Sequence, residues 1–336
     1  MAKLRVGING FGRIGRVLFR AAINNKDVEV VGINSLDALE GIAHLLKYDS
    51  SHGIFNHDVS FDETNLIVDG KKIPVSKTRK PNEIPWKAWG VDVVLECTGA
   101  FKKKEEFLLH IEAGAKKVLV SAPADGADQT IVYGINHESY NPSKHVVISN
   151  ASCTTNCLAP VAKVLNDVFG IENGMMTTIH SYTNDQQVLD ASHKDLRRAR
   201  SAAVSMIPTS TGAAKAIGLV LPELKGKLDG TSVRVPTPNV SLVDLTVNLK
   251  KEATISSINE AFTAAAKTSL KGVLAVEKAP LVSVDFNGNP NSSIVDLLST
   301  MVIGGKTAKV MSWYDNETGF SYRMIDLAIY MASKGL

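Results

Sequence analysis

The run Ser152-Cys153-Thr154-Thr155-Asn156-Cys157 places a thiol among small hydroxyl and amide side chains. An apolar stretch, Val146-Val147-Ile148-Ser149, precedes it. Leu158, Val161, Ala162, Leu165, Val168 and Phe169 follow, at the threes and fours of a buried helical face. Cys153 is therefore expected at a helix N-terminus, where unpaired N–H groups and the positive dipole end favour a thiolate and lower its pKa. Pro160 suits such a helix only in its first turn or at a kink. A thiolate nucleophile needs an imidazole to accept its proton. His180, closing a strand pattern over 175–180, is the candidate.

Beside a nicotinamide cofactor, a Cys–His pair is suited to aldehyde oxidation. The thiolate adds to the carbonyl, hydride leaves to the cofactor, and an acyl thioester remains. Water would then release an acid, and inorganic phosphate an acyl phosphate. Ser152, Thr154, Thr183, Thr211, Gly212 and Arg234 carry the hydroxyl, backbone and guanidinium donors that anions need, which favours phosphate. No metal enters this chemistry.

The elements that must position these groups read in two textures. A short apolar strand over 4–9 leads into Gly10-Phe11-Gly12-Arg13-Ile14-Gly15. A helix with Ile14, Val17, Leu18, Ala21 and Ala22 on one face follows, then a strand over 28–33. This is the dinucleotide-binding fingerprint in its strand–glycine–helix–strand context. Its glycines admit a tight turn and let N–H groups approach a pyrophosphate at the helix N-terminus. Further strands over 91–96 and 117–121 extend a parallel, doubly wound sheet, with the ligand beyond the strands' carboxyl ends, where Gly99, Ser121, Ser149 and Asn150 fall. An acid for the ribose 2′-hydroxyl is expected about 20 residues past the glycines. Ser35 stands there, with Asn34 before it and Asp37 two residues on, so a 2′-phosphate meets no carboxylate at this position.

Beyond residue 170, alternating patterns over 175–180, 242–249 and 281–284 suit a largely antiparallel sheet with helices on one face. The stretch 181–206 has no clear period and carries Lys194, Arg197, Arg198 and Arg200. A long irregular segment in a compact domain is usually functional. The expected fold class is thus α/β: a Rossmann-type doubly wound parallel sheet plus an α+β catalytic domain.

Composition narrows the function classes. With 336 residues, 44% hydrophobic and 21% charged, the chain is an ordinary globular protein long enough for two cores. A net charge of +3 gives no basic stripe for nucleic acid, and no apolar run approaches a membrane span. Three cysteines cannot make a disulfide framework, and the N-terminal Met-Ala-Lys-Leu-Arg-Val passes directly into a strand pattern. The cytoplasm is the expected compartment, with no nucleic-acid or membrane partner required.

Over essentially its whole length the chain resembles the phosphorylating glyceraldehyde-3-phosphate dehydrogenases. The matching stretches are 7–16, 44–50, 149–160, 180–183, 194–200, 233–237 and 313–317, which include the glycine, cysteine and arginine blocks. The resemblance implies Cys153 as nucleophile and His180 as its base. It implies a substrate-phosphate site with Thr183 and Arg234, and an inorganic-phosphate site with Ser152, Thr154, Thr211 and Gly212, with Arg198 near both. Arg13, Ile14, Arg79, Ser121 and Asn316 match the family's cofactor contacts. Implied domains are a dinucleotide-binding domain over 1–150, a catalytic domain over 151–315 and a C-terminal helix over 316–336 that returns to the first. The segment of about 181–206 matches the family's S-shaped loop, which packs on a neighbouring cofactor site in a homotetramer.

Two positions depart from the NAD-type pattern. Ser35 replaces the usual aspartate, and Ser192 stands where a proline is usual. Members that accept NADP resemble the chain at both places, so NADP is favoured over NAD. The expected reaction is conversion of glyceraldehyde 3-phosphate and inorganic phosphate to 1,3-bisphosphoglycerate. Erythrose-4-phosphate dehydrogenase is the alternative. An aspartate-semialdehyde dehydrogenase would not call for Thr183 and Arg234, and a cysteine hydrolase would leave the glycine fingerprint unexplained.

Overall fold

The computed structural model describes residues 3–336, which divide into two compact units. The first comprises residues through Tyr133, His137–Ala151 and Ser321–Leu336; the second comprises Gly134–Asn136 and Ser152–Phe320. The chain re-enters the first unit within its last helix.

In the first unit, β1 (Leu4–Asn9), α1 (Arg13–Ile23), β2 (Val28–Asn34) and α2 (Leu39–Lys47) come first. Then follow β3 (Val59–Phe61), β4 (Asn65–Val68), β5 (Lys71–Ser76), α3 (Trp86–Trp89) and β6 (Val93–Glu96). The unit continues with α4 (Lys104–Glu112), β7 (Lys117–Val120), β8 (Gln129–Thr130) and β9 (Val147–Ser149). These strands form one sheet in the order β3-β4-β5-β2-β1-β6-β7-β9-β8. Pairing is parallel from β5 through β9, as the strand–helix alternation requires, because parallel neighbours need crossover connections. Only the β3-β4-β5 edge is antiparallel. The central strands β6, β7 and β9 are buried at every position, consistent with cover on both faces.

The second unit begins with α5 (Cys153–Phe169), β10 (Ile171–Ser181), β11 (Ile207–Ser210), α6 (Ala213–Val220), β12 (Leu228–Val235) and β13 (Ser241–Leu249). It continues with α7 (Ile255–Lys267), β14 (Leu274–Glu277), β15 (Ser293–Ile303), β16 (Thr307–Tyr314) and the start of α8 (Thr318–Lys334). Its seven strands run β11-β12-β10-β13-β16-β15-β14. Four of the pairings are antiparallel; β10 with β12 and β14 with β15 are parallel. Helix α5 packs on this sheet and against α6 and α7, which explains why Cys157, Leu158, Val161 and Leu165 are fully buried.

Pro160 lies inside α5, beyond its first turn, and is buried there. One sequence expectation is corrected. The 281–284 pattern is not a strand. Val282 and Val284 are exposed, the Val282 N–H donates to Asp285 Oδ2 at 2.9 Å, and a 3₁₀ turn spans Ser283–Phe286. An alternation without a buried face has nothing to hold it in a sheet. Among the described residues, no helix is long and apolar enough to cross a membrane.

Candidate active site

At the carboxyl ends of β1, β2 and β6 the first unit carries a groove of about 470 Å³. It lies where the strand order reverses between β1 and β6, the usual ligand position in such sheets. Gly10, Gly12, Ser35, Asp37, Arg79 and Thr98 are among its lining residues. Gly10 has φ +90°, and a Cβ there would stand 2.7 Å from the Thr98 nitrogen. A Cβ on Gly15 would meet the Gly10 carbonyl oxygen at 2.2 Å, so the turn requires both glycines. Gly12 caps α1 without a side-chain bond, and nothing lies within 4 Å of where its Cβ would be. A helix start with that open approach fits the pyrophosphate of a dinucleotide.

The ribose end is shaped by side chains. The Asn34 amide donates to Asn9 Oδ1 at 2.7 Å and to the Thr78 carbonyl at 3.0 Å. Its oxygen accepts from Ser76 Oγ at 2.9 Å and the Thr78 N–H at 3.0 Å. All four of its hydrogen bonds are made, so Asn34 has none left for a ribose. Asn9 in turn donates to Glu96, whose carboxylate also receives the Thr98 N–H, the Thr98 hydroxyl and His110 Nε2. The Trp86 indole, a donor only, occupies His110 Nδ1. Ser35 is buried, with its hydroxyl 3.4 Å from the carboxylate of exposed Asp37. Arg79 is exposed at the groove, and Arg13 holds Asp49 at 2.6 Å. Ile14 is half-buried in the first turn of α1. Ser121 does not line the groove; its N–H donates to the Glu96 carbonyl at 3.0 Å.

In the second unit Ser152 is the N-cap of α5, accepting from the Thr155 N–H at 3.1 Å. Cys153 is the first residue of the helix. Its Sγ lies 3.5 Å from His180 Nε2. The other ring nitrogen, Nδ1, is 2.7 Å from the Ser181 carbonyl and 3.0 Å from Arg234 Nη1, which donates to the same carbonyl at 2.9 Å. Parallel pairing of β10 with β12 sets His180 opposite Arg234. Arg234 Nε is buried without a partner, a donor waiting for an anion.

Burial works against the expected thiolate. Burial pushes the Cys153 thiol up, against the pull of the Arg234 guanidinium and the donors at the helix start. Burial also drives the His180 imidazole down to about 3, with Arg234 acting in the same direction. The helix end does favour the anion, but desolvation outweighs it. Burial thus opposes charge on both members of the pair, while Arg234 and the donors at the helix start favour it on the sulfur alone.

The remaining predicted anion residues group less tightly. Thr154 Oγ1 bonds the Tyr314 hydroxyl at 2.8 Å rather than pointing outward. Arg198 pairs with Asp185 and donates to Thr209 Oγ1 at 2.9 Å; its charge also reaches His180 and Arg234. Thr183 is half-buried, its N–H on Gln186 Oε1 at 3.2 Å. Thr211 and Gly212 form the start of α6, where Thr211 Oγ1 accepts from the Ala213 N–H at 3.2 Å. Among the described residues no hydrogen bond joins Thr183, Thr211 or Gly212 to the Cys153–His180 pair. Ser192 is exposed. Asn316 accepts from Ser241 Oγ at 2.9 Å.

Two family models match the chain in tandem: the NAD binding domain of glyceraldehyde 3-phosphate dehydrogenase over residues 4–104, and that protein's C-terminal domain over 152–316. The chain belongs to the glyceraldehyde-3-phosphate dehydrogenase family. Glyceraldehyde-3-phosphate dehydrogenase of Geobacillus stearothermophilus is 62% identical over 333 residues, 99% of each chain. The proteins named glyceraldehyde-3-phosphate dehydrogenase 1 of Bacillus cereus and of Bacillus subtilis are each 61% identical, again over 99% of both chains.

Within this glyceraldehyde-3-phosphate dehydrogenase framework, sequence reasoning passed over Tyr314, Thr178 and Asp185 as parts of the site. The fully buried Tyr314 hydroxyl bridges Thr154 and Thr178, both at 2.8 Å, and its ring meets His180 edge-on at 6.0 Å. It thereby ties the cysteine helix to the histidine strand. The available signal was the inward period of β16, which puts a tyrosine where its hydroxyl needs a partner. Cys157, by contrast, is structural: its Sγ packs 3.7 Å from Ser293 Oγ, and burial pushes its thiol up to about 12.

Proposed function

We propose that the chain oxidises glyceraldehyde 3-phosphate reversibly to 1,3-bisphosphoglycerate, with inorganic phosphate as co-substrate and NAD(P) as oxidant. The observation that carries the reading is one imidazole with Cys153 Sγ at 3.5 Å on Nε2 and Arg234 at 3.0 Å across Nδ1. His180 Nδ1 donates to the Ser181 carbonyl, which leaves Nε2 unprotonated toward the thiol. The thiol proton passes to Nε2 as Sγ adds to the aldehyde carbon, and Nε2 returns it to the former carbonyl oxygen, giving a thiohemiacetal and a neutral imidazole. Bound NAD(P) supplies the oxidising power by accepting hydride. His180 takes the thiohemiacetal proton, and the acyl group remains on Sγ as a thioester. Phosphate attack then releases the acyl phosphate and restores Cys153.

Arg234 and Thr183 hold the substrate phosphate, and the orphaned Nε of Arg234 supports that role. Ser152, Thr211 and Gly212 receive inorganic phosphate, with Arg198 nearby once an anion competes with Asp185; the Thr154 hydroxyl is held by Tyr314 instead. Gly10, Gly12, Arg13, Ile14, Gly15, Ser35, Arg79 and Asn316 contact the cofactor, and Ser121 lies outside the groove. NADP serves at least as well as NAD, because Ser35 and Ser192 remove charge and bulk and exposed Arg79 offers a cation at the groove. The S-shaped loop exposes Val188, Leu189, Leu196, Val204 and Met206, each at least 75% accessible, and this supports assembly into a homotetramer. A cytoplasmic setting suits the free thiols Cys97, Cys153 and Cys157.

Erythrose 4-phosphate is the disfavoured substrate, since the relatives are named for glyceraldehyde 3-phosphate. Steady-state kinetics with both aldehydes, with and without phosphate, and with NAD against NADP test the proposal. Phosphate-dependent turnover of glyceraldehyde 3-phosphate is expected. A preference for the four-carbon aldehyde would overturn it. Light scattering should give a mass of four subunits.

A further inference from the structure

Arg198 and Asp185 lie on the segment between β10 and β11 and form an ion pair through Nη1 and Oδ2. The other two nitrogens of the guanidinium are also engaged. Nε donates to Thr209 Oγ1 at 2.9 Å and Nη2 to the Ser210 carbonyl at 3.3 Å. Thr209 in turn donates to Asp195 Oδ2 at 2.6 Å, and Ser210 directly precedes Thr211 and Gly212 at the start of α6. The fork is thus fixed in plane and tied to the turn that opens α6. A guanidinium has five N–H groups, and these bonds use three. Among the described residues, one N–H on each Nη of Arg198 is left over.

Asp185 gives the place a second character. Burial would raise its carboxyl, but the Arg198 guanidinium and His193, with Nε2 3.5 Å from Oδ1, hold it below the usual carboxylate range. Asp185 is therefore ionised at neutral pH, and an ionised carboxylate only accepts hydrogen bonds. Its side chain is 47% exposed and that of Arg198 19%, so an incoming anion can reach both. Beyond the burial that lowers its proton affinity, Arg234 feels the charges of Arg198 and Asp185, so the pair acts within range of the thiol site. An oxyanion drawn to the free N–H groups of Arg198 meets a fixed negative charge beside them. A fully deprotonated anion has nothing to offer that carboxylate and is repelled by it. An anion that carries a proton donates it as a charge-assisted hydrogen bond, which offsets the repulsion.

We propose that Asp185 is a specificity-determining residue that admits hydrogen phosphate and rejects sulfate. The inference rests on the assignment of Arg198 to inorganic phosphate made above. Sulfate matches hydrogen phosphate in shape and charge and differs by the one proton that Asp185 recognises. Specificity then comes from a repulsive group that only the correct anion can satisfy. With the P–OH turned to Asp185, the oxygen left to attack the thioester carries no proton.

Inhibition by sulfate at pH 7.5, with phosphate varied and the aldehyde saturating, tests this on the full-length protein. In the parent, the sulfate Ki should exceed the phosphate KM at least about tenfold, the usual worth of one charge-assisted hydrogen bond. Asp185→Asn keeps the size and an acceptor for Arg198 but removes the charge and can donate to sulfate. It should lower the sulfate Ki about tenfold or more and change the phosphate KM less than about threefold. Asp185→Glu keeps the charge and should keep most of the discrimination. Sulfate binding the parent as tightly as phosphate, or an unchanged ratio of the two constants in Asp185→Asn, overturns the proposal. If Arg198→Ala raises the phosphate KM while the Asp185→Asn ratio is unmoved, the proposal alone falls. If Arg198→Ala leaves the phosphate KM and the sulfate Ki where they were, the assignment of Arg198 falls and takes the proposal with it.

Discussion

The groove of the first unit is made of backbone, whereas the thiol site of the second is made of side chains that sheet register brings together. Gly10, Gly12 and Gly15 lie within six residues of one another, and their function follows from missing Cβ atoms and a bare helix start. Cys153, His180, Arg234 and Tyr314 come from α5, β10, β12 and β16. Their closeness depends on the β10–β12 register and on packing of α5 over the sheet. A site of the first kind tolerates side-chain changes outside its glycines. A site of the second kind concentrates its energy in a few atoms, so single substitutions should be severe there.

The sharpest break in that comparison is Cys153→Ser. Without a polarisable thiol beside His180, turnover should fall at least about 10³-fold, while NAD(P) binding by calorimetry stays near that of the parent. Loss of cofactor affinity along with turnover would mean that the two regions are not separable as described.

His180→Asn should slow turnover by roughly 10²–10⁴-fold, the usual worth of a general base. It also carries a stability signature. His180 has a folded pKa of about 3, below its unfolded value near 6.5, so the unfolded chain binds the extra proton. Stability from this group is complete above pH 6.5 and is lost as pH falls toward 3, on the order of 1 kcal/mol per pH unit. His180→Asn should therefore lose less melting temperature than the parent between pH 7.5 and pH 5. An unchanged difference would mean that the imidazole is protonated or solvated in the native state.

Arg234→Ala should raise KM for the phosphorylated aldehyde about tenfold or more, since charge-assisted bonds are worth roughly 1.5–3 kcal/mol. An unphosphorylated aldehyde should be affected less. Equal effects on both would make Arg234 a support for His180 alone.

The smallest effects belong to the groove. Ser35→Asp should lower kcat/KM for NADP relative to NAD, and Asp37→Ala should raise it, because each changes negative charge near the 2′-position. With Asn34 fully engaged, Asp37 is the acid left at that end of the groove. If neither substitution moves the ratio, the 2′-position is read elsewhere.

What could be read from sequence follows the same division. The glycine loop, its flanking strands and the thiol at a helix start are contiguous, so periodicity and motif spacing reached them. The Cys153–His180 pair was reached through chemistry, since a thiol nucleophile calls for a base. Tyr314 bonds Thr154 across 160 positions, and Ser241 bonds Ser181 and Asn316 across 60 and 75. No local pattern encodes such distances; they exist only once the sheet order is fixed. The burial that opposes the expected thiolate was hidden for a related reason. A helix start is visible in sequence, but the burial that raises the Cys153 thiol is a tertiary property. Likewise the 281–284 pattern had the right alternation and no partner surface to bury it.

The central claim is that the acyl group passes through Cys153 Sγ before phosphate removes it. Mixing the enzyme with glyceraldehyde 3-phosphate and NAD(P) in the absence of phosphate, followed by mass spectrometry of the peptides, tests this directly. The account predicts one equivalent of reduced cofactor per subunit, an acyl adduct on the Cys153 peptide, and its release as acyl phosphate when phosphate is added. Sustained turnover without phosphate and without any adduct on Cys153 would contradict it.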